Sequence, residues 1–176
     1  MPMQSVDKRY VLPLLVVLAY GLGWGKKLSA VQLEYFSPAQ FGPWFPFMSV
    51  KLLQAADKMA SVLSADFGYT FMVSRVGEDR DGSTSQHNVL QWGEVRALDV
   101  TVLLNGRELT KPELSTLYSR IRALRLFSGI GVYPNWNTPG VHVDVREDRT
   151  VQNPATWGDA GVGVAHNYVA VETALA

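Results

Sequence analysis

The sequence predicts an α+β domain with a small, mainly antiparallel sheet and with helices on one face of that sheet. Short apolar or alternating runs of strand length occur over 69–75, 97–104, 129–133 and 141–146. Two longer segments, 50–64 and 111–127, instead repeat apolar residues at three- and four-residue spacing, as amphipathic helices do. The helices should cover the apolar face of the sheet and leave its other face for a functional site.

Length and composition are those of a globular chain. The 176 residues are 47% hydrophobic and 18% charged, which is enough to bury a core and too apolar for a disordered protein. Lys and Arg number 16, as do Asp and Glu, so the charge balance gives no reason to expect nucleic acid as a partner. There is no cysteine, which excludes disulfides and thiolate ligands. A zinc site would therefore have to use histidine and carboxylate.

Residues 1–30 are predicted to form a separate apolar N-terminal segment ahead of a domain over 31–176. The apolar run over 11–25 follows Lys8 and Arg9 and is shorter than the roughly 20 residues that a membrane-spanning helix needs. It is typical of a signal peptide or weak signal-anchor, although its cleavage site is poor. A buried core element and a docking segment for a membrane or a larger assembly are the alternatives.

The aromatic segment before the first helix contains a helix-start signal. Ser37 and Gln40 flank Pro38 in the pattern of a capped N-terminus, and Gly42 should end this single helical turn. The aromatic side chains of residues 35–50 are expected to form a packed hydrophobic layer, with a binding platform as the alternative.

The two longer helices each have an N-terminal signal. Ser49 can cap the first, whose polar side is predicted to face solvent and carries Lys51, Gln54, Asp57 and Lys58. Thr110 and Glu113 form a capping box at the start of the second. Between them, Asn105 and Gly106 predict a tight turn directly after the strand over 97–104.

Three residues in different strands and loops form a candidate metal site. His87 lies in a polar, glycine-containing loop, and Asp99 interrupts an apolar strand, where an unpaired carboxylate would be costly. The alternation of the strand over 141–146 places His142 and Asp144 on one face and three valines on the other. Catalytic zinc sites use three such protein ligands and keep the fourth position for water. The alternative is that each histidine is only hydrogen-bonded.

These residues also resemble the motifs of a known family. The first motif consists of Ser85, His87, Gly93, Ala97 and Asp99. It resembles the signature of the zinc D-alanyl-D-alanine carboxypeptidases and related peptidoglycan peptidases, which share the hedgehog/DD-peptidase fold. The segment 129–146 resembles that family's second motif, a glycine-rich strand, a loop and a strand with the last zinc histidine. The segment 35–41 resembles the start of the branch common in bacteriophage and prophage proteins.

The resemblance implies a zinc peptidase that cleaves D-alanine-containing peptides of peptidoglycan, as a carboxypeptidase or an endopeptidase. His87, Asp99 and His142 would be the zinc ligands, and the ion would activate the attacking water. Arg75 or Arg80 would bind the carboxylate of the substrate. The family also implies a location in the cell envelope or periplasm, or in a phage virion, where residues 11–25 would contact a membrane or a virion protein.

Two departures from the family pattern lead to a second hypothesis. The spacing between His87 and Asp99 is longer than in the family, and Pro139 stands where many members have the catalytic carboxylate. Asp144 is therefore expected to be the general base, with orientation of a zinc ligand as its alternative role. The second hypothesis is a catalytically degenerate relative that serves as a structural or binding component of a virion or an envelope complex.

Overall fold

A seven-stranded sheet organises residues 31–162 and 165–176, the part of the chain that the computed structural model describes. Its strands are β1 (Tyr69–Arg75), β2 (Ala97–Leu104), β3 (Arg107–Glu108), β4 (Gly129–Tyr133), β5 (Gly140–Asp144), β6 (Ala155–Asp159) and β7 (Tyr168–Val169). Their order is β1-β2-β5-β4-β6-β7, with β3 paired to β2, and only β4 and β6 run parallel. The predicted α+β class with a mainly antiparallel sheet is confirmed, with seven strands rather than four.

Helices cover one face of this sheet. The covering helices are α1 (Val50–Phe67), α3 (Lys111–Leu124) and α4 (Val171–Leu175), whereas the short helix α2 (Val89–Trp92) belongs to the connection between β1 and β2. A 3-10 segment over Pro38–Phe47 precedes α1. The helix α1 packs on β1 and β2, α3 on β4, and α4 on β4 and β6. Apolar residues of these helices and of alternate strand positions form a common buried core. In the described part of the chain, no helix combines the length and apolarity needed to cross a membrane. The segment over 11–25 lies outside the described residues.

Several predicted boundaries were wrong by a few residues because backbone conformation, not periodicity, ends an element. The first helix continues to Phe67, where Gly68 adopts a left-handed φ of 74°. The second ends at Leu124, because Arg125 is left-handed with a φ of 53°. The strand predicted over 141–146 spans Gly140–Asp144. The single turn predicted after Ser37 is instead a 3-10 segment that resumes beyond Gly42.

The aromatic segment is a packed layer, as predicted. Phe36, Phe41 and Phe47 are buried in the core, and the rings of Phe36 and Phe41 meet edge to face at 5.7 Å. The prediction that Asp57 faces solvent was wrong. Its carboxylate is buried and accepts hydrogen bonds from the backbone N–H groups of Glu34, Tyr35 and Phe36 at 2.7–2.9 Å. A carboxylate on α1 therefore anchors the chain that leads into the aromatic layer.

We predict that Asp57→Ala lowers the free energy of unfolding by about 2–4 kcal/mol, because three backbone donors lose a charged acceptor. Urea unfolding followed by circular dichroism measures this loss. The control is Asp66→Ala, an exposed aspartate in the last turn of the same helix. Equal stability of the two variants would contradict an anchoring role for Asp57.

Candidate metal centre

One transverse row of the sheet carries the predicted site. Its members pair across five neighbouring strands and are Arg75, Asp99, His142, Gly131 and Trp157. Residues paired on adjacent strands point to the same face of a sheet. The sequence neighbours of Asp99 and His142 are leucine and valine residues that face the helices. The row therefore lies on the face opposite the apolar core.

A bulge in β1 brings Arg75 into this row. Val73 pairs with Val100 and Arg75 pairs with Asp99, so Ser74 is an extra residue on β1. An extra residue reverses the alternation of side chains beyond it. Arg75 consequently joins Asp99 on the site face, whereas Val73 packs against the core.

His87 comes from the long connection between β1 and β2 rather than from the sheet. The backbone of Glu78 bonds to the peptide groups on either side of Asn88, the next residue, because Glu78 N–H donates to His87 O at 2.9 Å and Val89 N–H donates to Glu78 O at 3.0 Å. The buried side chain of Asn88 donates to the carbonyls of Arg80 and Ser83. Four of the residues between His87 and Asp99 form the short helix α2.

The three predicted ligands meet at one point. His142 Nδ1 lies 2.7 Å from Asp99 Oδ1, and His87 Nε2 lies 3.3 Å from each of these two atoms. All three side chains are buried. Ligand atoms about 2.1 Å from a tetrahedral ion lie about 3.4 Å from one another. The group has the donor chemistry and the spacing to hold a metal ion.

The outer contacts of both histidines determine which ring nitrogens are free. His87 Nδ1 faces the carbonyl oxygen of Val76, which can only accept, so this nitrogen carries a proton. His142 Nε2 donates to Asp144 Oδ2 at 3.0 Å. In their neutral forms the two histidines then direct the lone pairs of His87 Nε2 and His142 Nδ1 at each other and at Asp99. Three converging lone pairs need a positive charge, which either a proton or a metal ion supplies.

The pKa values reflect this demand for positive charge. Burial alone lowers the pKa of His142, but hydrogen bonds with Asp144 and Asp99 outweigh burial and raise that pKa to about 9. Burial raises the pKa of Asp99, yet hydrogen bonds from His142 and His87 hold the pKa well below its ordinary value. Hydrogen bonds from His142 and Arg146 likewise outweigh burial and lower the pKa of Asp144.

Asp144 lies behind His142, away from the three converging atoms. Its carboxylate is fully buried and also accepts hydrogen bonds from Arg146, with Nε 2.9 Å from Oδ1. Gly129 on the adjacent strand makes room for it, because a Cβ atom there would collide with both carboxylate oxygens. This geometry favours the role of orienting His142 over the role of general base.

An open pocket of about 380 Å³ gives access to the three converging residues. Its lining consists of Arg75, Thr84, Ser85, Gln86, His87, Asp99, Tyr133, His142, Arg146, Trp157 and Tyr168. Arg75 thus reaches the pocket and is held by Glu78 at 2.6 Å. Arg80 is not part of this lining, and its exposed guanidinium lies 3.8 Å from Glu78.

Among the lining residues that sequence reasoning missed are Tyr133, Arg146, Trp157 and Tyr168. Two of them had a detectable signal. Arg146 follows Asp144 at a spacing of two, and the alternation of β4 places Tyr133 on the face of its glycines. Trp157 and Tyr168 had none, because the parallel pairing of β6 with β4 joins distant parts of the chain.

Comparisons with protein-family models, with curated proteins and with solved structures give no match to this chain.

We predict that the full chain binds about one divalent ion, and that His87→Ala, Asp99→Ala and His142→Ala each abolish this binding. Zinc content after gel filtration measures stoichiometry, and circular dichroism checks that each variant is folded. His166→Ala is the matched control, because His166 is a half-exposed histidine that pairs with Asp159 outside the group. Stoichiometric zinc in His142→Ala would refute the assignment.

We also predict that Asp144→Asn weakens zinc binding by about 10- to 100-fold, because an uncharged acceptor holds His142 less firmly. Competition with a chromophoric chelator measures the affinity. Asp148→Asn, in an exposed side chain nearby, should bind zinc as the wild type does. If Asp144→Asn keeps full zinc affinity but loses a hydrolytic activity of the wild type, Asp144 is the general base after all.

Proposed function

We propose that this protein is a zinc-dependent peptidase that cleaves D-alanine-containing peptides of peptidoglycan. The observation that carries the proposal is the convergence of His87, Asp99 and His142 at the floor of an open pocket. Two histidines and one carboxylate are a ligand set of catalytic zinc sites, which keep a position free for water. The motif resemblance supports the family, a hedgehog/DD-peptidase fold and a location in the cell envelope, the periplasm or a phage virion.

The residues around the triad, which is the group His87, Asp99 and His142, have separate roles in this proposal. A zinc ion bound by the triad would lower the pKa of a water molecule and polarise the scissile carbonyl. Asp144 and Val76 O hold the two histidines with their metal-binding nitrogens turned inward. Arg75, rather than Arg80, binds a carboxylate of the substrate, because its guanidinium is the one of the two that lines the pocket.

Charge supports a substrate of this class. Arg75 and Arg146 both line the pocket, each paired with a carboxylate that does not line it, whereas Asp99 is the only lining carboxylate among the described residues. Asp99 would be neutralised by the metal ion. A peptide that ends in a carboxylate would therefore enter a pocket of complementary charge.

The second candidate is a non-catalytic relative that binds cell-wall peptides as a component of a virion or an envelope complex. The position of Asp144 favours it, since both carboxylate oxygens are engaged by Arg146 and one of them by His142. In the described part of the chain, no carboxylate other than Asp99 lines the pocket. Since Asp99 would be a metal ligand, no other aspartate or glutamate among the described residues lies in the pocket to act as the general base.

We predict that the zinc-loaded full chain releases D-alanine from a peptide ending in D-alanyl-D-alanine, or new amino groups from purified peptidoglycan. Chromatography of the products separates the two, because only carboxypeptidase action yields free D-alanine. Chelation or Asp99→Ala should abolish release, and His166→Ala should retain it.

The same preparation distinguishes the two candidates. Metal-dependent sedimentation of the protein with peptidoglycan, without any product, would support the non-catalytic candidate. Neither sedimentation nor product from a zinc-loaded, folded protein would refute peptidoglycan as its target.

A further inference from the structure

A tyrosine hydroxyl in the pocket has a proton that no described residue accepts. Tyr133 ends β4 on the site face and lines the pocket together with Asp99 and His142, although only 6% of the residue is exposed. Trp157 Nε1 donates to the Tyr133 hydroxyl oxygen at 3.2 Å. A phenol can donate and accept at once, so the O–H of Tyr133 is still available as a donor.

Two tryptophans hold the ring of Tyr133 in place. The ring stacks on Trp136, with centroids 4.1 Å apart and planes inclined by 16°. Trp157, which bonds to the hydroxyl, also packs against the ring of His142 at 5.0 Å. The hydroxyl is thereby fixed relative to a metal-binding residue through a single side chain. A donor that is already oriented needs no rearrangement when charge develops next to it.

The room for this arrangement comes from a glycine. Gly131 pairs with both His142 and Trp157, and a Cβ atom there would lie 2.6 Å from the indole ring of Trp157. The absence of a side chain at this position lets the indole lie over β4 between His142 and Tyr133. In β4, Gly131 thus leaves space for Trp157, and Trp157 in turn orients the hydroxyl of Tyr133.

We propose that Tyr133 donates a hydrogen bond to an anionic oxygen at the metal centre. This inference rests on the proposed function: in the peptidase reaction the acceptor is the carbonyl oxygen of the scissile bond, as negative charge develops on it. The proton remains on Tyr133, so its role is stabilisation of charge and not proton transfer. The pocket would then offer an anionic ligand one neutral hydrogen-bond donor, the Tyr133 hydroxyl, in addition to two charged guanidinium groups.

The test uses acetohydroxamate, a small anionic metal ligand, as the probe and the cobalt-loaded full chain as the protein. Visible absorption of the cobalt ion reports binding of the probe without any turnover. Tyr133→Phe should raise the Kd of the probe about 10-fold, the effect of one hydrogen bond to a charged group. The Kd of cobalt itself should not change. Tyr118→Phe, in a buried tyrosine of α3, is the matched control and should leave both constants unchanged.

A double-mutant cycle separates this role from mere support of Trp157. Trp157→Phe removes the indole donor, so in that background the Tyr133 hydroxyl has no indole to accept from. If Tyr133 contacts the probe, Tyr133→Phe still weakens binding in the Trp157→Phe protein, because the stack on Trp136 keeps the tyrosine ring in place there. If the effect disappears there, the hydroxyl only supports Trp157 and the inference is overturned.

The remaining outcomes separate failure of the inference from failure of the proposed function. Equal probe affinity in wild type and Tyr133→Phe would overturn the role of Tyr133 and leave the metal centre intact. A folded wild-type protein that binds neither cobalt nor zinc would overturn the proposed function, and the inference with it. Where turnover is measurable, Tyr133→Phe should lower kcat about 10-fold with little change in KM. The reason is that the hydrogen bond from the Tyr133 hydroxyl to the carbonyl oxygen strengthens only in the transition state.

Discussion

His87, Asp99 and His142 direct lone pairs at one another in a buried space, and this requires a positive charge between them. The surrounding structure keeps these lone pairs turned toward one another. Val76 and Asp144 fix the protons of the two histidines on their outer nitrogens, so rotation of either ring would sacrifice a hydrogen bond. A proton on His142 can supply the charge when no metal is bound. A divalent ion can accept all three lone pairs at once, whereas a single proton cannot.

The sheet brings these groups together through its lateral pairing. Asp99 and His142 are neighbours only because β2 and β5 pair in one register, and a slip of either strand by one residue would turn its own site residue into the apolar core. The valines and leucines next to them pack against α1 and α3 in the core, and this packing fixes the register of the strands. Burial of apolar side chains on one face thus determines the geometry of the polar face, and stability and the site depend on the same register.

Small residues and backbone irregularities decide which side chains surround the three ligands. The bulge at Ser74 turns Arg75 toward the pocket, and Gly129 and Gly131 leave space for Asp144 and Trp157. The result is an asymmetric pocket. Its wall near β1 carries an arginine held by a glutamate, whereas its wall near β4 and β6 is aromatic. A peptide substrate with a charged end and an apolar part would match this division.

The sequence by itself determined the elements whose signals are local. Periodicity located β1, β2, β4 and the two long helices, and the same alternation placed His142 and Asp144 on the polar face. The three candidate metal ligands were predicted from residue chemistry and from the motif resemblance, and the structure brings them together. Only the tertiary structure decided that Asp144 lies behind His142, that Arg75 rather than Arg80 reaches the pocket, and that Trp157 lines it. The position of Arg75 depends on a bulge and that of Trp157 on a parallel strand pairing, and both are set by contacts between distant segments that leave no periodic trace in the chain.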